Sequence, residues 1–110
     1  MGKGEFDYLT REPKYPRELL KWKKAAEEPL VHLKEIISLL ESLPESSFTK
    51  SCVRDALIAY AEARGKGNVL WPMRIALSGR EQSPDPFTLA AILGKKISLG
   101  RLERAIAMLQ

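Results

Sequence analysis

Five apolar residues, Leu30, Leu33, Ile37, Leu40 and Leu43, recur at three- and four-residue spacing between Pro29 and Pro44. That period paints one stripe along an α-helix; a strand would need alternation at every second residue. Pro29 suits the start, Glu27 and Glu28 are favoured by the positive end of the helix dipole, and Pro44 stops it. The same punctuation recurs down the chain. Thr49 is placed to cap "KSCVRDALIAYAEAR", whose Val53, Leu57 and Tyr60 share a face, and Gly65 and Gly67 close it. A short helix is predicted over 69–78, with Pro72 in its first turn and Gly79 just past its end. Asp85 then caps, and Pro86 opens, a helix running through "FTLAAIL" to Gly94. The last helix spans about 95–109 and turns Leu99, Leu102, Ile106 and Leu109 inward.

Upstream, residues 5–15 read as an extended lead-in. "RELLKWKKAA", after Pro16, reads as a short helix with Leu19, Leu20 and Trp22 on its apolar side. No stretch alternates as a strand would, and there are no repeats. The pattern predicts an all-α fold, a compact bundle of about six helices. At 110 residues and 45% hydrophobic content the chain supports one modest core. Residues 1–4 read as a tag or flexible start, and 5–110 as a single helical domain.

Several functions are disfavoured by what the sequence lacks. One cysteine, Cys52, permits no internal disulfide and suits a reducing compartment, so a cytoplasmic location is expected. One histidine, His32, read as a polar-face helix residue, leaves no ordinary His/Cys zinc set and no second histidine for a hydrolase-like pair. No run of about 18 apolar residues suggests a membrane span. "GKGN" at 65–68 lacks the spacing and the trailing Lys-Ser/Thr of a phosphate-binding loop. Neither a catalytic site nor a bound metal or cofactor is expected in this chain, and a monomer is.

Charge is distributed unevenly around a net +4. Residues 25–47 carry one basic and five acidic groups, whereas 48–110 carry ten basic and five acidic ones. This permits a polyanionic partner, and equally two ordinary solvated faces.

The stretch "NVLWPMRIALSGREQSPDPF", 68–87, sets an arginine in an apolar helix just ahead of a stiff loop. Helical spacing puts Trp71, Arg74 and Ser78 on one face, expected to point outward, with Leu70, Met73 and Leu77 opposite. The loop leads into a helix entrance whose amides suit an anion or a polar base edge. An arginine fork, an aromatic ring and an amide-rich turn can grip unstacked nucleotides. The structural alternatives are that Arg74 caps a neighbouring helix and that Phe87 belongs to the core.

The run "PMRIALSGREQSPDPFTLAAILGKKISLGRLERAI" resembles the C-terminal end of bacterial-type glutamyl-tRNA synthetases. Pro72, Arg74, Ala76, Leu77, Ser78, Gly79, Pro84, Leu93, Gly94, Lys95, Arg101 and Leu102 stand where that family's pattern has them. "DYLTREPKYPRELLKWKK" is similar to a second segment of the family, so the resemblance runs from about Phe6 to Leu109. The family is of class I. Its His-Ile-Gly-His-like and Lys-Met-Ser-Lys-Ser-like motifs are absent, so the resemblance implies the anticodon-binding portion, with ATP and Mg bound by a catalytic domain elsewhere. It also implies a tRNA partner, the glutamate tRNA through its anticodon loop. Carried over residue by residue, Arg74, Ser83, Pro84, Pro86 and Phe87 approach the anticodon bases; Arg80 and Lys95, on charge and position only, are expected as RNA-backbone contacts. Asp85 and Pro86 depart from the glycine or apolar residues of many relatives. The rival readings are a helical protein-interaction module and RNA binding without anticodon preference.

Overall fold

A computed structural model describes residues 14–21 and 28–110. Among these, five α-helices follow one another: α1 (Pro29–Glu41), α2 (Lys50–Arg64), α3 (Lys66–Ser78), α4 (Pro86–Leu93) and α5 (Lys95–Leu109). Two 3₁₀ turns, Arg17–Leu20 and Glu45–Ser47, precede α1 and α2, and the described residues hold no strand. The all-α expectation holds, with five α-helices among the described residues where about six were expected. After Pro16 the chain makes only the 3₁₀ turn and then extends at Lys21 (φ −91°, ψ 121°). The remainder of that expected helix, including Trp22, lies outside the described residues, as do Glu27 and the lead-in up to residue 13.

The caps form where the local chemistry puts them. Thr49 accepts a hydrogen bond from the Cys52 amide at 3.2 Å and starts α2. Gly79, in the left-handed region at φ 71°, ends α3 and donates its amide to the Ile75 carbonyl at 2.7 Å. Leu33, Leu40, Val53, Leu57 and Leu102 are fully buried, and Leu99, Ile106 and Leu109 pack against that core. Each fully buried leucine contributes about 1.5–3 kcal/mol of transfer free energy.

α3 is the centre of the bundle. It touches each of the other four helices and the first 3₁₀ turn. A helix surrounded on all sides must be apolar on all sides, and Pro72, Met73, Ile75, Ala76, Leu77 and Ser78 are all buried. Two expectations are corrected here. The helix begins at Lys66 rather than near Val69, so Pro72 lies well inside it. Gly65, at φ 96°, reverses the chain directly after α2, so Lys66 and Gly67 join the next helix. Pro72 forfeits one backbone bond but fills a core position. Likewise His32 is not on a polar face. It is fully buried, its Nδ1 2.8 Å from the Tyr60 hydroxyl and the two rings edge to face.

Candidate nucleic-acid interface

Between Pro72 and Ser78, Arg74 is the one residue that is not buried. Its guanidinium reaches from the central helix across the loop that follows. Nη1 donates to the Glu81 carbonyl at 3.4 Å and to the Ser83 carbonyl at 3.2 Å. Among the described residues these are its only partners, so the Nη2 and Nε donors stay open, on a side chain whose planar fork matches a pair of acceptors. The alternative reading, a cap on a neighbouring helix, belongs to another arginine. Arg101, buried on α5, donates Nη1 to the Leu77 carbonyl at 2.6 Å and so holds the end of α3.

Ser78 fastens the start of the loop from beneath. Its hydroxyl accepts the Arg80 amide at 3.0 Å and donates its proton to the Arg74 carbonyl at 2.8 Å, with the Arg80 carbonyl a second acceptor at 3.2 Å. Ser78 therefore faces inward, contrary to the expected outward face. Trp71 is committed too: its indole Nε1 donates to the Leu19 carbonyl at 2.7 Å and pins the first 3₁₀ turn to α3. The half-buried ring packs against the core cluster. Of these three residues only Arg74 keeps open donors, because α3 has neighbours on most of its sides.

The far end of the loop is held by Asp85. Its Oδ1 accepts the Thr88 amide at 3.0 Å and its Oδ2 the Thr88 hydroxyl at 2.8 Å, while Lys50 Nζ lies 3.8 Å from Oδ2. Partial burial pushes this carboxyl up, but the Thr88 bonds, the Lys50 charge and the Phe87 amide outweigh it and hold the pKa below the usual 3.8. The entrance to α4 is thus occupied by its own carboxylate. An incoming phosphate would meet that charge rather than open amides.

The remaining residues divide clearly. Arg80 and Ser83 are half-buried and Pro84 exposed, beside Arg74 on one loop. Pro86 and Phe87 are buried, and Phe87, 8% exposed, is part of the core cluster. Lys95 stands at the opposite end of α4, where Nζ donates to the Glu41 carbonyl at 3.0 Å and caps α1. The structure gathers Arg74, Arg80, Ser83 and Pro84, with exposed Glu81 and Gln82, into one braced turn and leaves Lys95 and Phe87 apart from it. Sequence reasoning missed Ser78 as a latch and Lys50 and Arg101 as supports. Among the described residues, no group of three or more His, Cys, Asp or Glu side chains is placed to hold a metal ion.

Comparison with known proteins bears on what such a turn does. A family described as an anticodon binding domain matches residues 3–106. The chain belongs to the anticodon-binding domain family. Its relatives include the glutamate–tRNA ligase of Clostridium botulinum, 33% identical over 96% of this chain and 23% of the ligase. That of Thermus thermophilus is 35% identical over 93% of this chain and 24% of the ligase. A crystal structure of a glutamate tRNA ligase from Elizabethkingia meningosepticum, in complex with its amino acid, superposes with a TM-score of 0.81. It is 27% identical, and the match covers 97% of this chain and 21% of the ligase. The chain therefore spans under a quarter of the length of these relatives. In this anticodon-binding domain the braced turn is carried by the helix with the most neighbours. Among the described residues, no helix is long and apolar enough to cross a membrane.

Proposed function

We propose that this chain holds the anticodon loop of a tRNA, the glutamate tRNA, as the anticodon-reading part of a glutamate–tRNA ligase. The observation that supports this most is Arg74: a central-helix arginine whose Nη1 is tied to Glu81 and Ser83. A long side chain normally loses rotamer freedom when it binds. Here much of that ordering precedes the ligand, and the open donors suit the paired acceptors of a base edge. The Asp85 carboxylate beside the turn disfavours phosphate there, which leans the site toward a base rather than the backbone. Gln82, Ser83 and Pro84 would border the same nucleotide.

On this reading the chain works in the cytoplasm and as a monomer. Aminoacylation, with ATP and Mg, would belong to the remainder of the ligase. The test is a titration of the chain with a glutamate-tRNA anticodon stem-loop and with one whose three anticodon bases are changed, at two salt concentrations. A preference for the cognate loop that Arg74→Ala abolishes is the expected result. Equal, salt-sensitive binding of both loops would reduce the turn to a backbone clamp and sink the base-reading role. Light scattering of the chain checks the monomer.

A further inference from the structure

The outward side of α5 sets two cations and a glycine in one line. Lys96, Gly100, Arg104 and Ala107 fall on one side at helical spacing, and all four are exposed. Lys96, like Lys34 on α1, has no acid within 4 Å among the described residues, whereas Lys21, Lys50, Arg54 and Lys66 each have one. It also sits in the first turn of α5, which contains no acid and where the helix dipole disfavours a cation. An anion laid against it would relieve both conditions. Arg104, two turns on, lies near the Tyr15 phenol, and its charge acts against the burial that pushes that phenol up to about 12. The exposed Lys14 is next to Tyr15 in the chain.

Gly100, between the two cations, is the telling residue. Its φ is not in the left-handed region, and a Cβ built on it meets nothing within 4 Å. Neither backbone conformation nor packing calls for glycine there, and among the standard residues only proline is a poorer helix former. What glycine does provide is a shallow gap in which another backbone can come close to the helix. The cations at its two ends are about 12 Å apart along the axis.

We infer that the Lys96–Gly100–Arg104 face of α5 is a second RNA contact, which grips the phosphate backbone of the anticodon stem independently of the Arg74 turn. This rests on the tRNA-binding reading but not on base recognition. The single acid of α5, Glu103, borders the face and opposes the contact.

The test uses the 110-residue chain and the two stem-loops above, read as affinity against salt. The Lys96→Ala/Arg104→Ala double variant is expected to bind both loops on the order of tenfold more weakly, with the salt slope lowered by about 2. Arg54→Ala, on α2 away from this face, gives the effect of losing one charge, and the double variant is expected to exceed twice that effect. Glu103→Gln is expected to tighten both complexes. Gly100→Leu separates contact from fold: it raises Tm by about 4 °C, through better helix propensity, yet weakens both complexes. If base reading alone is wrong, the two loops bind alike and the double variant still separates from Arg54→Ala. A double variant that weakens binding by no more than twice the Arg54→Ala effect overturns the contact, as does a chain that binds neither RNA. A Gly100→Leu variant that binds like the parent overturns the close approach at residue 100.

Discussion

Two loops of similar length lead into capped helices, and they are held in different ways. The turn before α2 supports itself. Within Pro44–Phe48 the Ser47 amide bonds the Pro44 carbonyl at 2.9 Å, the Phe48 amide bonds Glu45 at 3.2 Å, and the buried Phe48 ring anchors the whole. The turn before α4 takes its order from side chains rooted in the central helix and in α5: Arg74 above, Ser78 beneath, and Arg101 at the helix end. A self-supporting turn fixes the chain path and little more. A turn braced by long side chains shares those groups with whatever docks on it, so its geometry and its ligand are coupled.

That contrast can be broken from either side. The largest effect is expected from Phe48→Ala, which removes the anchor of the first turn and lowers stability by about 3–5 kcal/mol. RNA affinity of the folded fraction stays unchanged; denaturant unfolding and titration on the same samples measure both. Arg101→Met comes next, at about 2–3 kcal/mol, because a charged donor to a buried carbonyl is lost. It should also weaken RNA binding, since Leu77 and Ser78 then no longer hold the start of the second turn. Unchanged binding by a folded Arg101→Met would show that the brace does not depend on α5.

Asp85→Ala is smaller, about 1 kcal/mol at neutral pH. The folded carboxyl lies below its usual 3.8, so its stabilisation is complete above that value and is lost as pH falls through the folded pKa. The difference between wild type and Asp85→Ala in unfolding experiments should therefore shrink as the solution is acidified below pH 3.8. A constant difference would mean that the charge is irrelevant to the cap. The smallest effect is expected from Thr49→Ala, about 0.5–1 kcal/mol, with no pH dependence in the same range, since a hydroxyl cap does not titrate there.

Helix spans and caps were legible because they depend on residues a few positions apart. Thr49, Gly79, Asp85 and Pro86 each act on their own neighbours, and the structure has them in those roles. Pro72 misled because proline is a local signal, while the start of α3 is fixed by the reversal at Gly65. His32 looked solvent-facing on its own helix, but it is buried and meets Tyr60, 28 residues away. In the candidate site, Arg74 and the loop were visible in the sequence. The commitments of Trp71 to Leu19, 52 residues away, and of Arg101 to Leu77, 24 away, were not. Side chain-to-carbonyl bonds over such separations leave no period or motif in the sequence.

The Trp71–Leu19 bond also gives the domain a mechanical property. It rivets the incoming chain to the central helix one turn before Arg74. A shift of Leu19 would therefore bear on the helix that carries the guanidinium, through a contact one turn from Arg74.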